Sequence, residues 1–188
     1  MAQPPRELVN GTQLRDAFVA ASQHLREMAK GIDAINVYPV PDGDTGSNLA
    51  ATMREAIDTA LLLGAEPAVP ALLEAVARGA LYGARGNSGV ILSQALRGFS
   101  AGVGEAGEFD AAALARGLVE AAAEAYVAVS KPQEGTMLTV LRAAGDAALE
   151  MITRLRISET ATAGTSKTTK GVIFPRLAGL FLNVMITG

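Results

Sequence analysis

Two carboxylates stand one residue apart in a segment unlike an ordinary turn. Asp42 and Asp44 flank Gly43 within the stretch 36–48, which reads NVYPVPDGDTGSN. Oxygen ligands on a tight loop suit a hard cation such as Mg²⁺, which keeps several waters and binds substrate phosphates. In isolation an Asp-Gly-Asp sequence is as readily a turn with Asx capping. The pair therefore predicts a metal site only if neighbouring segments supply a reason for phosphate to bind there.

Two further segments also stand directly before a predicted helix. They are 83–89, with the sequence GARGNSG, and 131–136, with the sequence KPQEGT. Helix N-termini offer free backbone N–H groups and partial positive charge, and glycine lets the backbone approach an anion closely. Three such loops favour a magnesium nucleotide over three ordinary helix caps. No Gly-Lys-Ser/Thr sequence occurs and no strand precedes a loop, which excludes P-loop and Rossmann nucleotide sites.

The elements that must position these loops are helices. Apolar residues recur at helical spacing, as in Leu14, Phe18, Ala21 and Leu25, and Asp110 is a plausible N-cap. The pattern predicts six helices, over about 12–30, 45–63, 69–82, 88–99, 110–130 and 136–151, and an all-α fold. Helices joined by short turns pack antiparallel to their neighbours, so the second, fourth and sixth helices should begin at the same end. The three loops would converge there.

Composition narrows the function classes. The 188 residues are 49% hydrophobic but only 4% aromatic, which favours an aliphatic, helical core over a strand-rich one. The chain has no Cys, and its single His, His24, is an ordinary helix residue rather than part of a metal cluster. A net charge of -3 argues against nucleic-acid binding. We find neither a signal peptide nor a membrane-spanning stretch, and so expect a cytoplasmic protein.

The composition changes near residue 152. Residues 1–151 contain 11 basic and 18 acidic residues, whereas 152–188 contain five and one, and threonine replaces alanine. We expect a nucleotide-binding domain over 1–151, then a tail in which a flexible Ser/Thr-rich stretch, 158–170, precedes an apolar segment over 172–186. A genuine terminal element, an altered reading frame and a truncation scar all remain open explanations of this tail.

The motifs resemble a known family. The segment 35–48, INVYPVPDGDTGSN, is similar to the signature of the nucleotide-binding N-terminal domain of bacterial fatty acid kinases. That domain is related to the L subunit of dihydroxyacetone kinase, the DhaL domain. The segment 83–94, GARGNSGVILSQ, resembles the second signature and 131–138 the third. The resemblance covers about residues 8–151.

The resemblance implies an antiparallel barrel of eight helices with ATP and Mg²⁺ at one mouth, and ATP-dependent phosphorylation of a fatty acid carboxylate or of dihydroxyacetone. A separate carrier protein would present the fatty acid, and homodimerisation stays open. Asp42 and Asp44 would hold Mg²⁺, and Asn36 or its neighbours stand where the dihydroxyacetone branch has a further Asp ligand. The expected nucleotide contacts are Thr45, Gly46, Ser47 and Asn48 from the first loop, Asn87 and Ser88 from the second, and Thr136 and Met137 from the third.

Two departures from the family favour a second hypothesis. The family's last barrel helices and its late nucleotide-contacting segment have no match in 152–188, and the fatty acid kinases continue into further domains. The barrel is therefore expected to be incomplete at its C-terminal side, leaving apolar surface exposed. The alternative to a kinase domain is a truncated, non-catalytic helical module that binds nucleotide or lipid.

Overall fold

Six α-helices make up most of the part that this computed structural model describes, which is residues 8–37, 41–105, 107 and 109–161. They are α1 (Gly11–Ala34), α2 (Thr45–Leu61), α3 (Val69–Gly83), α4 (Gly86–Val103), α5 (Ala111–Val127) and α6 (Met137–Ala161). Within these residues the only strand-like pairing is an isolated antiparallel bridge between Val9 and Phe109. The all-α prediction is confirmed. None of the described helices is long and apolar enough to cross a membrane.

Local sequence sets where two of the helices begin. Before α1, the Asn10 side chain accepts a hydrogen bond from the Gln13 backbone N–H, and the Gln13 side chain accepts one from the Asn10 N–H. This reciprocal capping box satisfies two donors that a helix start leaves without partners. Before α5, the Asp110 carboxylate accepts from the Ala113 N–H at 2.8 Å, so the predicted N-cap is confirmed.

Consecutive helices run antiparallel. For four of the five consecutive pairs this follows from the order of their close contacts, since later residues of one helix meet earlier residues of the next. For α3 and α4 it follows because α2 and α4 run parallel, with Gly86 against Asn48 and Gly89 against Thr52. The contacting pairs are Gly46 with Ala29, Gly83 with Glu55, Gly79 with Thr59, Gly98 with Glu120, Gly102 with Arg116, Arg142 with Tyr126, and Gly145 with Val119. The helices α2, α4 and α6 therefore begin at the same end of the bundle, as the sequence predicts. We call this the loop end.

The core is aliphatic apart from one aromatic cluster. Phe18 and Phe99 pack edge to face, with ring centroids 6.4 Å apart, and Phe99 lies 6.2 Å from Phe109. All three rings are buried. Edge-to-face packing suits the charge distribution of aromatic rings. The cluster ties α1 and α4 to the segment before α5, and it helps to hold the helices whose ends build the candidate site.

Several predicted helix boundaries are wrong. The first helix continues to Ala34 rather than ending near residue 30, and the fourth spans Gly86–Val103 rather than about 88–99. Gly86 has a φ of 58°, a conformation that favours glycine. The sixth helix does not end at Met151 but continues to Ala161. An Arg154–Glu150 ion pair, four residues apart, spans the predicted end of the helix, where the change in composition suggested a break. The predicted flexible stretch and apolar tail lie almost wholly outside the described residues.

Candidate functional site

A carboxylate from the last turn of α1 caps the start of α2. Asp33 Oδ1 accepts from the backbone N–H groups of Gly46 at 2.6 Å and Ser47 at 3.1 Å, and Oδ2 accepts from the Ser47 hydroxyl at 2.6 Å. Burial acts to raise the pKa of Asp33, but the three hydrogen bonds from Ser47 and Gly46 outweigh it and hold the pKa below its ordinary value. Asp33 therefore carries a negative charge at a helix N-terminus, where the helix dipole favours it.

Sequence reasoning missed Asp33, although one signal was present. An acidic side chain in the last turn of a helix is unfavourable for that helix, because the C-terminal end already carries partial negative charge. Such a residue is explained when it serves the N-terminus of another helix. Gly46 makes this possible, since a Cβ at that position would overlap the Ala29 carbonyl oxygen. Only glycine lets α1 and α2 approach closely enough for Asp33 to reach the α2 backbone.

The predicted acidic pair lies on the surface just before α2. Asp42 and Asp44 are exposed, and Gly43 between them has a φ of 66°. The Asn36 side-chain amide donates to Asp42 Oδ1 at 2.7 Å, which joins these two predicted metal ligands. Asp44 occupies the N-cap position of α2 but makes no capping bond, and no donor in the described ranges reaches its carboxylate. Its negative charge is thus not stabilised by a hydrogen bond from any of the described residues.

The donor set fits Mg²⁺. Magnesium binds proteins through one or two carboxylates and leaves its other positions to water and substrate phosphates. Asp42 and Asp44, with the Asn36 amide beside them, supply such a set. Within the described residues, no group of three or more His, Cys, Asp or Glu side chains is placed to hold a metal ion. These side chains could therefore supply only part of an octahedral shell.

The second loop lies directly on the first turns of α2. Thr52 is fully buried, and its hydroxyl donates to the Asn48 carbonyl at 2.8 Å while accepting from the Arg85 N–H at 3.1 Å. A Cβ on Gly86 would overlap the Asn48 side-chain amide. The structure thus brings the predicted residue Asn48 against the second loop through Thr52, a residue that sequence reasoning did not select. A Thr on the apolar face of a helix was the available signal.

Ser88 bridges the two loops and is not a cap. It lies inside the first turn of α4, and its hydroxyl contacts the Thr45 carbonyl at 3.4 Å. The N-cap position belongs to Arg85, whose side chain makes no capping bond. Arg85 and Asn87 are both exposed, and in the described part of the chain the Arg85 guanidinium has no ion-pair partner. The N-terminus of α4 is therefore uncapped and lies beside an exposed cation.

The third loop is fixed by its own network. The Glu134 carboxylate accepts from Arg142 at 2.6 Å, from the Thr139 hydroxyl at 2.8 Å and from the Tyr126 hydroxyl at 3.3 Å. The Arg142 hydrogen bond is the largest cause of a pKa below the ordinary value at Glu134. These bonds join the loop to α5 and α6 only.

Thr136 and Met137 begin α6 at the loop end, but nothing brings them against the other two loops. The Thr136 hydroxyl donates to the Gln133 carbonyl at 2.8 Å and accepts from the Leu138 N–H at 3.3 Å, so it serves as a local cap. Among the described helices, α6 packs against α5 alone. The predicted convergence is therefore close for the first two loops and only directional for the third.

A groove of about 300 Å³ lies between α5 and α6. It is lined by Val119, Ala122, Ala123, Tyr126, Arg142, Gly145 and Asp146. None of these is a predicted site residue. The candidate site is instead an open, polar surface at the loop end, built from the starts of α2 and α4.

Comparison with known proteins identifies relatives of this chain. A family model described as the DAK2 domain matches residues 39–173. The chain is 42% identical over 145 residues to uncharacterized proteins of Staphylococcus aureus strains USA300, NCTC 8325 and COL. Each match covers 76% of this chain and 26% of the relative. The chain therefore spans about a quarter of the length of these curated relatives.

Proposed function

Because the chain belongs to the DAK2 domain family, we propose that it is the nucleotide-binding domain of an ATP-dependent kinase and that it binds ATP or ADP with Mg²⁺ at the loop end. Membership supports the coarser statement, a dihydroxyacetone-kinase-like nucleotide-binding module. The metal, the residues that hold the nucleotide and the phosphoryl acceptor are our proposals.

The observation that carries the proposal is the contact between the first two loops. Asn48 and Thr52 of α2 hold the second loop directly above the residues that follow Asp44. Two exposed carboxylates and an uncapped helix start with an exposed Arg85 consequently share one end of the bundle. The two carboxylates suit the Mg²⁺ of a magnesium nucleotide, and the helix start with Arg85 suits its phosphates.

Each group has a distinct task in this proposal. Asp42 and Asp44, oriented with Asn36, hold Mg²⁺, which neutralises phosphate charge when bound. The first turn of α4, with Asn87 and Ser88, and the adjacent Thr45 and Asn48 line the space for the phosphates.

The backbone donors of Gly46 and Ser47 are already bonded to Asp33, so a phosphate could use them only by displacing that carboxylate. Thr136 and Met137, at the start of α6, remain proposed contacts at the loop end. Some of the residues that the resemblance implies are therefore free to contact a nucleotide, whereas the backbone donors of Gly46 and Ser47 already bond to Asp33.

The proposed reaction is in-line phosphoryl transfer to a fatty acid carboxylate, or alternatively to dihydroxyacetone. Such transfer depends mainly on positioning and charge neutralisation. A carboxylate is already a nucleophile, so transfer to a fatty acid requires no general base. A separate carrier protein would present the fatty acid, as the resemblance to the bacterial fatty acid kinases implies.

Calorimetry with ADP and Mg²⁺ tests the binding step. Asp42→Ala and Asp44→Ala should each weaken binding by about tenfold, about 1.4 kcal/mol, because the phosphate charge is less compensated. Asp58→Ala is the matched control, since it removes an exposed carboxylate from α2 that is remote from the loop end. Unchanged affinity in both site variants would contradict the assignment of Asp42 and Asp44 as metal ligands.

A transfer assay separates the kinase from the non-catalytic alternative. The chain would be incubated with labelled ATP, Mg²⁺ and either dihydroxyacetone or a fatty acid with its carrier protein. Acyl phosphate or dihydroxyacetone phosphate identifies the acceptor. Nucleotide binding without transfer to either acceptor favours the binding module.

A further inference from the structure

The Glu134 carboxylate of the third loop accepts hydrogen bonds from two helices at once. Its Oε1 accepts from the Tyr126 hydroxyl, in the last turn of α5, at 3.3 Å. Its Oε2 accepts from the Thr139 hydroxyl at 2.8 Å and from the Arg142 guanidinium at 2.6 Å, both on α6. The same guanidinium lies over the Tyr126 ring, 5.2 Å from its centroid, which adds a cation–π contact. These side chains therefore form one closed network that joins the end of α5 to the start of α6.

This network also sets the turn that leads into α6. Gly135 follows Glu134 with a φ of 76°, and its N–H donates to the Thr139 hydroxyl at 2.9 Å. The Thr139 oxygen thus accepts from the loop backbone while its hydrogen is donated to Glu134. The next residues along the chain are Thr136 and Met137, the proposed nucleotide contacts. Their position relative to α5 therefore depends on where Glu134 is held.

The start of α6 has no second helix to pack against in the described part of the chain. There, α6 packs against α5 alone, and α5 packs against α4, which begins at the second loop. The contact with α5 is therefore the described route by which the third loop is held relative to the second. The Glu134–Arg142 pair is open to water, with 61% and 48% of the two side chains exposed. Exposed ion pairs contribute little to stability, so this network is better suited to fixing a position than to stabilising the bundle.

We propose that Glu134 is a positioning residue, which through its hydrogen bonds to α5 and α6 holds Thr136 and Met137 where they contact the nucleotide and does not contact the nucleotide itself. The inference rests on the proposed function, in which Thr136 and Met137 are nucleotide contacts. If the network is broken, binding must first order the third loop, and such ordering lowers affinity. The loss should therefore appear in the affinity for ADP and not in the stability of the bundle.

The test compares ADP affinity with stability in variants of one ion pair. Glu134→Gln keeps the length of the side chain and removes its charge, and Arg142→Met removes the guanidinium that donates to it. Arg142→Lys is the conservative variant, because it keeps the charge. Glu124→Gln is the matched control, since the partly exposed Glu124 also pairs with an arginine of a neighbouring helix, Arg97. Calorimetry with ADP at saturating Mg²⁺ and urea denaturation are applied to each variant and to the Glu134→Gln/Arg142→Met double variant.

A positioning role predicts a shared loss of affinity. Glu134→Gln should weaken ADP binding by about fivefold and Arg142→Met by about threefold, since binding must then order the loop. The double variant should bind no more weakly than Glu134→Gln, because both changes break the same network. Arg142→Lys should recover most of the affinity. All of these variants should unfold at the same urea concentration as Glu124→Gln, which itself should keep the wild-type affinity.

Three results would overturn the inference. If Glu134→Gln weakens binding while Arg142→Met does not, Glu134 contacts the nucleotide or its metal directly. If the variants unfold more easily than Glu124→Gln but keep the wild-type affinity, the network is structural only. If the two losses multiply in the double variant, the two residues act separately.

Hydrogen exchange of the nucleotide-free protein checks the network itself. Glu134→Gln should speed exchange of the Gly135 amide relative to Glu124→Gln, because a neutral amide holds Thr139 less firmly than a carboxylate does. Unchanged exchange would contradict the network. The outcomes also separate the two proposals. If the wild-type chain binds no magnesium nucleotide, the proposed function fails and this inference with it. If binding is lost in Asp42→Ala but untouched in Glu134→Gln, only the inference fails.

Discussion

The helices α2 and α4 begin at the same end of the bundle, in contact with each other, yet they differ in what caps their first turns. The start of α2 is bonded to a carboxylate from within the chain, that of Asp33. The start of α4 has Arg85 at its N-cap position and no side-chain cap. One N-terminus is neutralised internally, and the other keeps its donors and has a cation beside it.

This difference separates a structural helix start from one that is available to a ligand. Both are preceded by glycine-containing loops, so sequence pattern alone treats them alike. The distinction depends on whether another part of the fold supplies the anion. The following variants test that distinction, in order of decreasing expected effect.

Gly46→Ala should be the most damaging change. An added Cβ would overlap the Ala29 carbonyl oxygen, and neither backbone can move without separating α1 from α2. We expect a loss of about 3 kcal/mol in the free energy of unfolding, measured by urea denaturation. Gly31→Ala is the control, because nothing lies within 4 Å of its added Cβ, and it should stabilise α1 slightly. Equal effects of the two variants would contradict the close approach.

Asp33→Ala should destabilise the α2 start without steric strain. The variant leaves the N–H groups of Gly46 and Ser47 without their acceptor, at a cost of about 2 kcal/mol in unfolding free energy. Chemical denaturation at neutral pH measures the loss, with Asp58→Ala as the control for removing a carboxylate. A loss no greater than that of the control would mean that α2 does not depend on this cap.

Thr52→Val should affect the second loop rather than the first. The substitution keeps the shape but removes the acceptor of the Arg85 N–H, which costs about 1 to 2 kcal/mol in unfolding free energy. Thr59→Val is matched to it, since Thr59 makes the same bond to its own helix, to the Glu55 carbonyl at 2.9 Å, but accepts from no other described element. Thr52→Ser should restore most of the loss. Indistinguishable Thr52→Val and Thr59→Val variants would rule out a tethering role.

Acid should weaken the α2 start selectively. The pKa of Asp33 lies below its ordinary value of 3.8 in the folded protein, so the unfolded chain takes up the proton first as pH falls. The stabilisation is therefore fully present above the unfolded pKa and is lost as pH falls through the folded pKa. Denaturation of wild type and Asp33→Asn between pH 6 and about pH 2 should show the two stabilities converging at the acid end. Parallel curves would contradict the shift.

Ser88→Ala should have the smallest effect on stability. Ser88 is not the cap of α4, and its contact with the Thr45 carbonyl is long, at 3.4 Å. We expect a loss of about 0.5 kcal/mol in unfolding free energy, below the cost of losing a cap. If Ser88 contacts phosphate, ADP affinity should fall while the melting temperature barely changes. A loss near that of Asp33→Ala would restore the capping interpretation.

The general architecture was predictable because helical periodicity and short connections are local signals. Apolar spacing located all six helices in the described part, and the alternation of their directions brought the starts of α2, α4 and α6 to one end. Asp110 was recognisable as a cap because it binds a residue three positions later. Such features depend on a few residues that lie close together in the sequence.

The missed features depend on contacts between elements. Asp33 caps a helix that begins twelve residues later, and Thr52 binds a backbone group 33 residues away. The spacing of apolar residues along the chain carries no information about such contacts. The end of α6 was missed for another reason. The change in composition near residue 152 suggested a break, whereas the helix continues through it to Ala161.

The Asp33 contact also affects how freely the loop between α1 and α2, which carries Asp42 and Asp44, can change in length. Its base is closed by hydrogen bonds from the first residues of α2 to the Asp33 carboxylate of α1. Lengthening a loop whose ends are already held costs little entropy, about 0.6 kcal/mol for each doubling. Insertions between Val37 and Asp42 should therefore cost the fold little. They would separate Asn36 from Asp42 and leave Asp44 in place at the N-cap position of α2.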